Sequence, residues 1–153
     1  MVCIYCKQNT AVSNSRLQKR QNSVWRRRTC LACHARMTSV ETYDLSSCLV
    51  VEKRSGALEP FYRDKLLLSL ALSLNHRTQA LRAASELCST VISKLLKNVS
   101  TDRNISTTDI SYMAILVLKR FDATSAIKYQ SFLNPATSAK AVRYLLRETP
   151  RQQ

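Results

Sequence analysis

Apolar positions along the chain change their period several times, and each change marks an element. In "LVVEKRSGALEPF", Leu49 to Phe61, two short β-prone runs flank Ser55-Gly56. Gly56 is the only glycine in the chain, and its setting predicts a hairpin turn that needs positive φ. Past Pro60 the period lengthens. Leu66, Leu67, Leu70 and Leu74 predict a helix that is apolar on most faces and therefore buried. Residues 79–97 follow with Leu81, Ala84, Leu87, Cys88, Val91 and Leu95 at helical spacing. The clearest helix carries Ile110, Met113, Ala114, Val117, Leu118 and Phe121 at i, i+3, i+4, i+7, i+8 and i+11. Ahead of it "STTD", Ser106 to Asp109, has the form of a capping box. Helical pattern continues through Ala126–Leu133 until Asn134-Pro135 stops it, and a last amphipathic piece, Ser138 to Glu148, ends before Pro150.

Residues 49–135 therefore read as a β-hairpin packed on a small helical bundle. Residues 1–40 show no comparable periodicity. They are too short and too polar to bury a core, so they need a staple. The chain of 153 residues has room for one average domain or two small ones, and this contrast favours two, in an α+β arrangement.

Charge sharpens that division. Lys and Arg number 24 against 10 Asp and Glu, a formal net charge of +14. Residues 1–40 hold eight of the basic residues and no acid; the first acid is Glu41. Such an excess predicts attraction to polyanions and says nothing about fold. The opening "MVCIYCKQNT" lacks the apolar core of a secretory signal. The longest apolar stretch, Leu66 to Leu74, is broken by serines and falls far short of the ~18 residues of a membrane span. A cytoplasmic protein is expected, where paired cysteines serve as metal ligands or redox centres more often than as disulfides.

The cysteines supply the staple. Cys3-x-x-Cys6 and Cys30-x-x-Cys33 are separated by 23 residues. Two residues between thiolates let one tight turn aim both sulfurs at a single ion, and two such turns close a tetrahedral four-cysteine zinc site with no open position for catalysis. Disulfides, an iron site or a redox pair are the alternatives. Lys7 and His34 stand where such turns usually carry glycine. Cys48 and Cys88 lie outside any paired spacing and read as small core residues. His34 reads as a surface residue, and His76 as a solvated residue at a helix end. No nucleophile–base pair or carboxylate dyad emerges, so no enzyme is expected.

Three consecutive arginines, Arg26, Arg27 and Arg28, precede the second cysteine pair. A charge run is usually a solvated face. Here a metal-fixed ribbon would present them with Arg16, Lys19, Arg20 and Arg36, and no acid interrupts the set. Membrane binding would need inserted aromatics, and only Trp25 offers one. A nucleic-acid backbone is the better partner, with Trp25 either packing on the ribbon or wedging a groove. In the second module the hairpin brings Lys53 and Arg54 into one region, and Lys65 enters at the start of the following helix, whose amides also favour anions. Three cations there suit a triphosphate; the alternative is three exposed charges on a turn.

These residues resemble a known family. Cys3-x-x-Cys6, "TAVSNSR" (Thr10–Arg16), "SVWRRRTCLAC" (Ser23–Cys33) and "ARMTSVE" (Ala35–Glu41) resemble the zinc ribbon of bacterial NrdR, the transcriptional repressor of ribonucleotide reductase genes. "VVEKRSGALEPFYRDKL" (Val50–Leu66) resembles the opening of an ATP-cone, and "ISTTDI", "FD" and "AIKYQSF" resemble its later helices. The resemblance implies a zinc-ribbon DNA-binding domain at 1–44, a mostly α-helical ATP-cone at 45–135 and a C-terminal helix and tail at 136–153. It implies one structural Zn²⁺ per chain, ATP and dATP as effectors, double-stranded promoter boxes as partner, and a homo-oligomer whose size follows the bound nucleotide. A bacterial cytoplasmic protein associated with the nucleoid is implied. By the same resemblance Val51 lines the base, Glu59 touches the nucleoside and Thr107 contacts it from the third helix, beside Lys53, Arg54 and Lys65. The family usually has an arginine at Trp25, an aromatic at Met37, and adenine-holding tyrosines at Ala126 and Leu133. The last two departures imply weaker nucleotide binding, or fewer nucleotides held. The C-terminal piece is basic (Lys140, Arg143, Arg147), where relatives tend to be acidic.

Overall fold

A computed structural model describes residues 1–19, 22–98 and 103–133. Arg20, the Asn134-Pro135 stop and the amphipathic piece Ser138 to Glu148 lie outside the described residues. The chain divides into two compact units, Met1–Asp44 and the part that begins at Leu45.

The first unit is a three-stranded antiparallel meander: β1 (Thr10–Gln18), β2 (Ser23–Cys30) and β3 (Arg36–Glu41), with β2 central. The register shifts between Val12 and Asn14, so Ser13 is the extra residue of a bulge. Its buried residues are Cys3, Ser23 and Cys30. Among its described residues no apolar core holds it together, as its polarity demanded.

The second unit begins with a single 3-10 turn, Leu45–Ser47, and the hairpin β4 (Val50–Glu52) and β5 (Leu58–Pro60). Gly56 sits in the turn at φ 79°, the left-handed region that favours glycine. Lys53 and Ala57 close the turn through Lys53 N–H to Ala57 O at 2.9 Å. Among the described residues four helices follow: α1 (Arg63–Ser73), α2 (Ala80–Asn98), α3 (Thr107–Phe121) and α4 (Ala123–Leu133). Their buried sides form one core with the hairpin, including Val51, Phe61, Leu70, Leu74, Val91 and Leu118.

The expectation of a mostly α-helical module with a hairpin needs correction. A third strand, β6 (Asn104–Ser106), pairs in parallel with β4 and completes a sheet in the order β5-β4-β6. Three residues in front of a capping box carry no period, so this strand is invisible locally. The helices also expose more than their composition suggests. Leu68 and Leu72 on α1 are 62% and 58% exposed, so α1 is not buried on most faces. Leu81 on α2 and Phe121 on α3 are exposed as well; Phe121 lies under the Arg77 guanidinium, 5.0 Å from the ring centroid. Cys88 is buried, but Cys48 is exposed and not a core residue.

His76 is exposed just past the end of α1, as expected, but its ring is not left to solvent alone. Its Nε2 lies 2.8 Å from Asp122 Oδ2 and its Nδ1 3.2 Å from Lys128 Nζ. Asp122 also accepts from Thr124 N–H and Ser125 Oγ at the start of α4, and those donors hold its carboxyl below the usual range against the opposing effect of burial. The histidine thus ties the loop after α1 to the α3–α4 junction.

The N-cap forms, with the Asp109 carboxylate returning to the Ser106 hydroxyl instead of its backbone amide. Ser106 Oγ accepts from Asp109 N–H at 3.0 Å and donates to Asp109 Oδ2 at 2.7 Å. Ser106→Ala should destabilise the chain by about 1 kcal/mol, the usual loss for an N-cap hydroxyl. Urea denaturation followed by helical circular dichroism checks this, and an unchanged midpoint would show that the hydroxyl contributes nothing.

Candidate functional site

In the first unit two turns deliver the four thiols. Lys7 N–H donates to Cys3 O at 3.0 Å, and Cys30 N–H to Ala35 O at 2.9 Å. Lys7 (φ 62°) and His34 (φ 56°) occupy the left-handed region without being glycines, a strain of roughly 1–2 kcal/mol each. The sulfurs of Cys3, Cys6, Cys30 and Cys33 all lie within 4.8 Å of one another. Three of the separations are 3.7 Å (Cys3–Cys33), 3.4 Å (Cys6–Cys30) and 3.5 Å (Cys6–Cys33). All exceed a covalent S–S bond of ~2.05 Å. They approach the ~3.8 Å edge of a tetrahedron with ~2.3 Å zinc–sulfur arms.

The local electrostatics favour the same occupant. Cys33 N–H points at Cys30 Sγ at 3.5 Å and pulls that thiol down to about 6; Cys6 N–H lowers Cys3 similarly. For Cys33 the Ala35 amide pulls down, but the crowding Cys6 and Cys30 thiols outweigh it and push the thiol up to about 12. Four sulfurs this close cannot all ionise unless a cation sits between them. A divalent ion with sulfur affinity resolves the conflict.

The ribbon's register sorts the basic residues. Directly opposed residues in a sheet share a face, and neighbours along a strand alternate. Arg16 opposes Trp25, Asn14 opposes Arg27, and Thr38 and Arg36 oppose Arg27 and Thr29. Arg16, Trp25, Arg27 and Arg36 therefore share one face, which carries no acid. Arg26 and Arg28 point to the other face. There Arg26 pairs with Glu41 at 2.9 Å, and Arg28 Nε donates to Ser39 Oγ at 3.0 Å. The three consecutive arginines are thus split between opposite sides of the sheet. A shallow depression of about 280 Å³ is lined by Arg27, Arg36, Met37 and Thr38. Lys19 is exposed just past β1.

In the second unit Glu59 organises the cations. Its Oε2 accepts from Lys53 Nζ at 2.8 Å and from Lys65 Nζ at 2.9 Å. The Lys53 ammonium, then that of Lys65, holds the Glu59 carboxyl below its usual range. Val51 opposes Glu59 on β5 and Ile105 on β6, so all three share a sheet face, and Lys53 follows Val51 at the next position on that face. Thr107, two residues beyond Ile105, opens α3 at the same sheet end. Arg54 is exposed in the turn.

Residues 1–41 match the family described as "Transcriptional repressor NrdR-like, N-terminal domain", and residues 49–134 match the ATP cone domain. Relatives named "Transcriptional repressor NrdR" align over nearly the whole chain. That of Rhodopseudomonas palustris (strain BisA53) is 32% identical over 149 residues, 97% of this chain and 91% of the relative. That of Chelativorans sp. (strain BNC1) is 32% identical over 97% of this chain and 95% of its own. The Hyphomonas neptunium relative is 30% identical over 147 residues, 93% and 91% of the two chains. The chain belongs to the NrdR family.

NrdR proteins are regulators and not enzymes, in keeping with the lack of a catalytic constellation in the sequence. A zinc ribbon with four cysteines this close fits one Zn²⁺ per chain, and the ATP-cone indicates a nucleotide effector. Among the described residues no helix is long and apolar enough to cross a membrane. The structure describes both positions where the resemblance implies tyrosines. Ala126 is fully buried in the core, and Leu133 is half-buried at the end of α4. The sequence reading missed the Glu59 bridge between two lysines and the Arg26–Glu41 pair. The first had a weak signal, an acid six residues from each lysine; the second needs the β2–β3 register, which no local pattern encodes.

Proposed function

We propose that this chain is a nucleotide-responsive, DNA-binding transcriptional repressor of ribonucleotide reductase genes. Cys3, Cys6, Cys30 and Cys33 hold one structural zinc. The fixed ribbon meets promoter DNA through its basic residues, and the cone takes ATP or dATP near Val51, Lys53, Arg54, Glu59, Lys65 and Thr107. Nucleotide occupancy changes the homo-oligomer, and that state decides whether the operator is bound, in the cytoplasm at the nucleoid. The observation that carries this is the pairing, in one chain, of an acid-free cationic ribbon face with two lysines converging beside a helix start. In thermodynamic terms dATP favours repression only by binding the DNA-competent assembly more tightly than the alternatives.

Light scattering of the full chain with no nucleotide, ATP and dATP, each with and without promoter DNA, tests the whole scheme. Distinct sizes that track DNA occupancy are expected. One size under every condition would favour a second reading, a zinc-ribbon nucleic-acid protein whose cone only oligomerises. Ala126 and Leu133, unable to stack on adenine, support that alternative.

If about four to six phosphates are neutralised, log K should fall with log salt at a slope of roughly −4 to −5 on duplex DNA. Arg27→Ala should weaken specific and random duplexes alike if Arg27 meets phosphate. Loss confined to the specific site would make it a base contact.

A further inference from the structure

Trp25 stands where the resemblance places another arginine, and the ribbon geometry gives this departure a use. It is the only tryptophan of the chain. Its ring lies under two guanidinium groups: Arg27 at 5.4 Å and Arg16 at 6.0 Å from the ring centroid. Both distances fall within the ~6 Å reach of a cation–π contact. Arg16 is the direct cross-strand partner of Trp25, and Arg27 the next residue on the same face of β2. Two arginines so placed repel each other and, left alone, fan out into solvent. The negative face of the indole offsets that repulsion and holds both planes near one site, with their N–H edges available.

The opposite face lacks this arrangement. Arg26 is engaged by Glu41 and Arg28 by Ser39, so neither guanidinium is held over an aromatic face, and Arg26 already has its charge partly offset by a carboxylate. Glu41 also places a carboxylate on that side.

We infer that Trp25 is a positioning residue of the DNA interface, holding Arg16 and Arg27 over its ring so that their face of the ribbon, with Arg36, meets the phosphate backbone while the Arg26–Arg28 face does not. This rests on the reading that the ribbon binds duplex DNA.

The test uses the full zinc-loaded chain and a promoter duplex titrated at several salt concentrations. Trp25→Leu, which keeps apolar bulk but removes the π face, should weaken binding roughly tenfold, the scale of two partly exposed cation–π contacts. Its salt slope should become shallower by roughly one to two units, because fewer phosphates are held; a residue that only supported the fold would not change that slope in zinc-loaded protein. Trp25→Phe should restore most of the affinity. The pair Arg16→Gln and Arg27→Gln should cost at least about thirtyfold, whereas Arg26→Gln with Arg28→Gln should cost several-fold less, because Glu41 already offsets the Arg26 charge. Wild-type affinity and slope in Trp25→Leu would overturn the inference, as would equal losses from the two arginine pairs. Should Trp25→Leu lose its zinc, the arginine pairs and Trp25→Phe decide. A wild-type chain that binds no duplex even at low salt would sink the DNA reading itself, and the inference with it.

Discussion

Cys30→Ser should release the zinc and unfold the first unit while leaving the second intact. Serine keeps the shape of the side chain but is a poor zinc ligand, and the remaining three thiolates cannot close the tetrahedron. Structural zinc contributes roughly 10–16 kcal/mol to small metal-folded domains, and nothing in this unit replaces it. Its buried residues are Cys3, Ser23 and Cys30, two of them ligands. The second unit keeps a separate core running from Leu49 to Tyr129. Elemental analysis should read one zinc per wild-type chain and none in the variant. Proteolysis should then cut within residues 1–44 and spare the helices. Zinc retained at full stoichiometry, or iron in metal-replete wild type, would refute the four-cysteine assignment.

Lys53→Ala should abolish nucleotide binding at working concentrations and, with it, nucleotide-dependent assembly. A charge-assisted hydrogen bond to phosphate contributes about 1.5–3 kcal/mol, so affinity should fall roughly 10- to 100-fold by the usual conversion. The zinc content should not change. Loss of Lys53 also removes the leading cause of the depressed Glu59 carboxyl. A carboxylate whose folded-state pKa is depressed contributes stability above its unfolded pKa and loses it as pH falls through the folded value. In Lys53→Ala the Glu59 contribution should therefore be smaller, and its loss, which starts at the same unfolded-state pKa, should be complete at higher pH than in wild type. Calorimetry with ATP and dATP measures the first effect, and urea midpoints between pH 6 and pH 3 the second. Wild type that binds neither nucleotide at millimolar concentration, with zinc intact, would remove the sensing role.

What could be read from the sequence follows from range. The cysteine spacing, the Gly56 turn and the Ser106 cap are decided within a few residues, and the structure reproduces each. The helices of the second unit were legible because their apolar positions repeat over three or more turns. Strand β6 was not legible, since its pairing partner lies some fifty residues upstream and the strand is only Asn104–Ser106. The same limit hid which arginines act together. "RRR" reads as one cluster, but alternation along a strand puts its middle member opposite its neighbours. Cys48 was misread as a core residue because burial depends on which distant segments pack over a position, and no local pattern encodes that.

The parallel pairing of β4 with β6 sets an order of assembly. The β4–β5 hairpin closes locally, but β6 can join β4 only after α1 and α2 have been laid down between them, and the entropy of that closure must be met first. Thr107 is carried in by β6, so this edge of the cone should be the last part to form and the first to open. In hydrogen exchange, the amide of Val50, which donates to Arg103 O at 3.0 Å, should lose protection earlier than the Leu74 amide within the helical core. A ligand that bridges Thr107 and Lys53 would act as a clasp on the slowest joint of the fold, making occupancy audible as a change in opening rate.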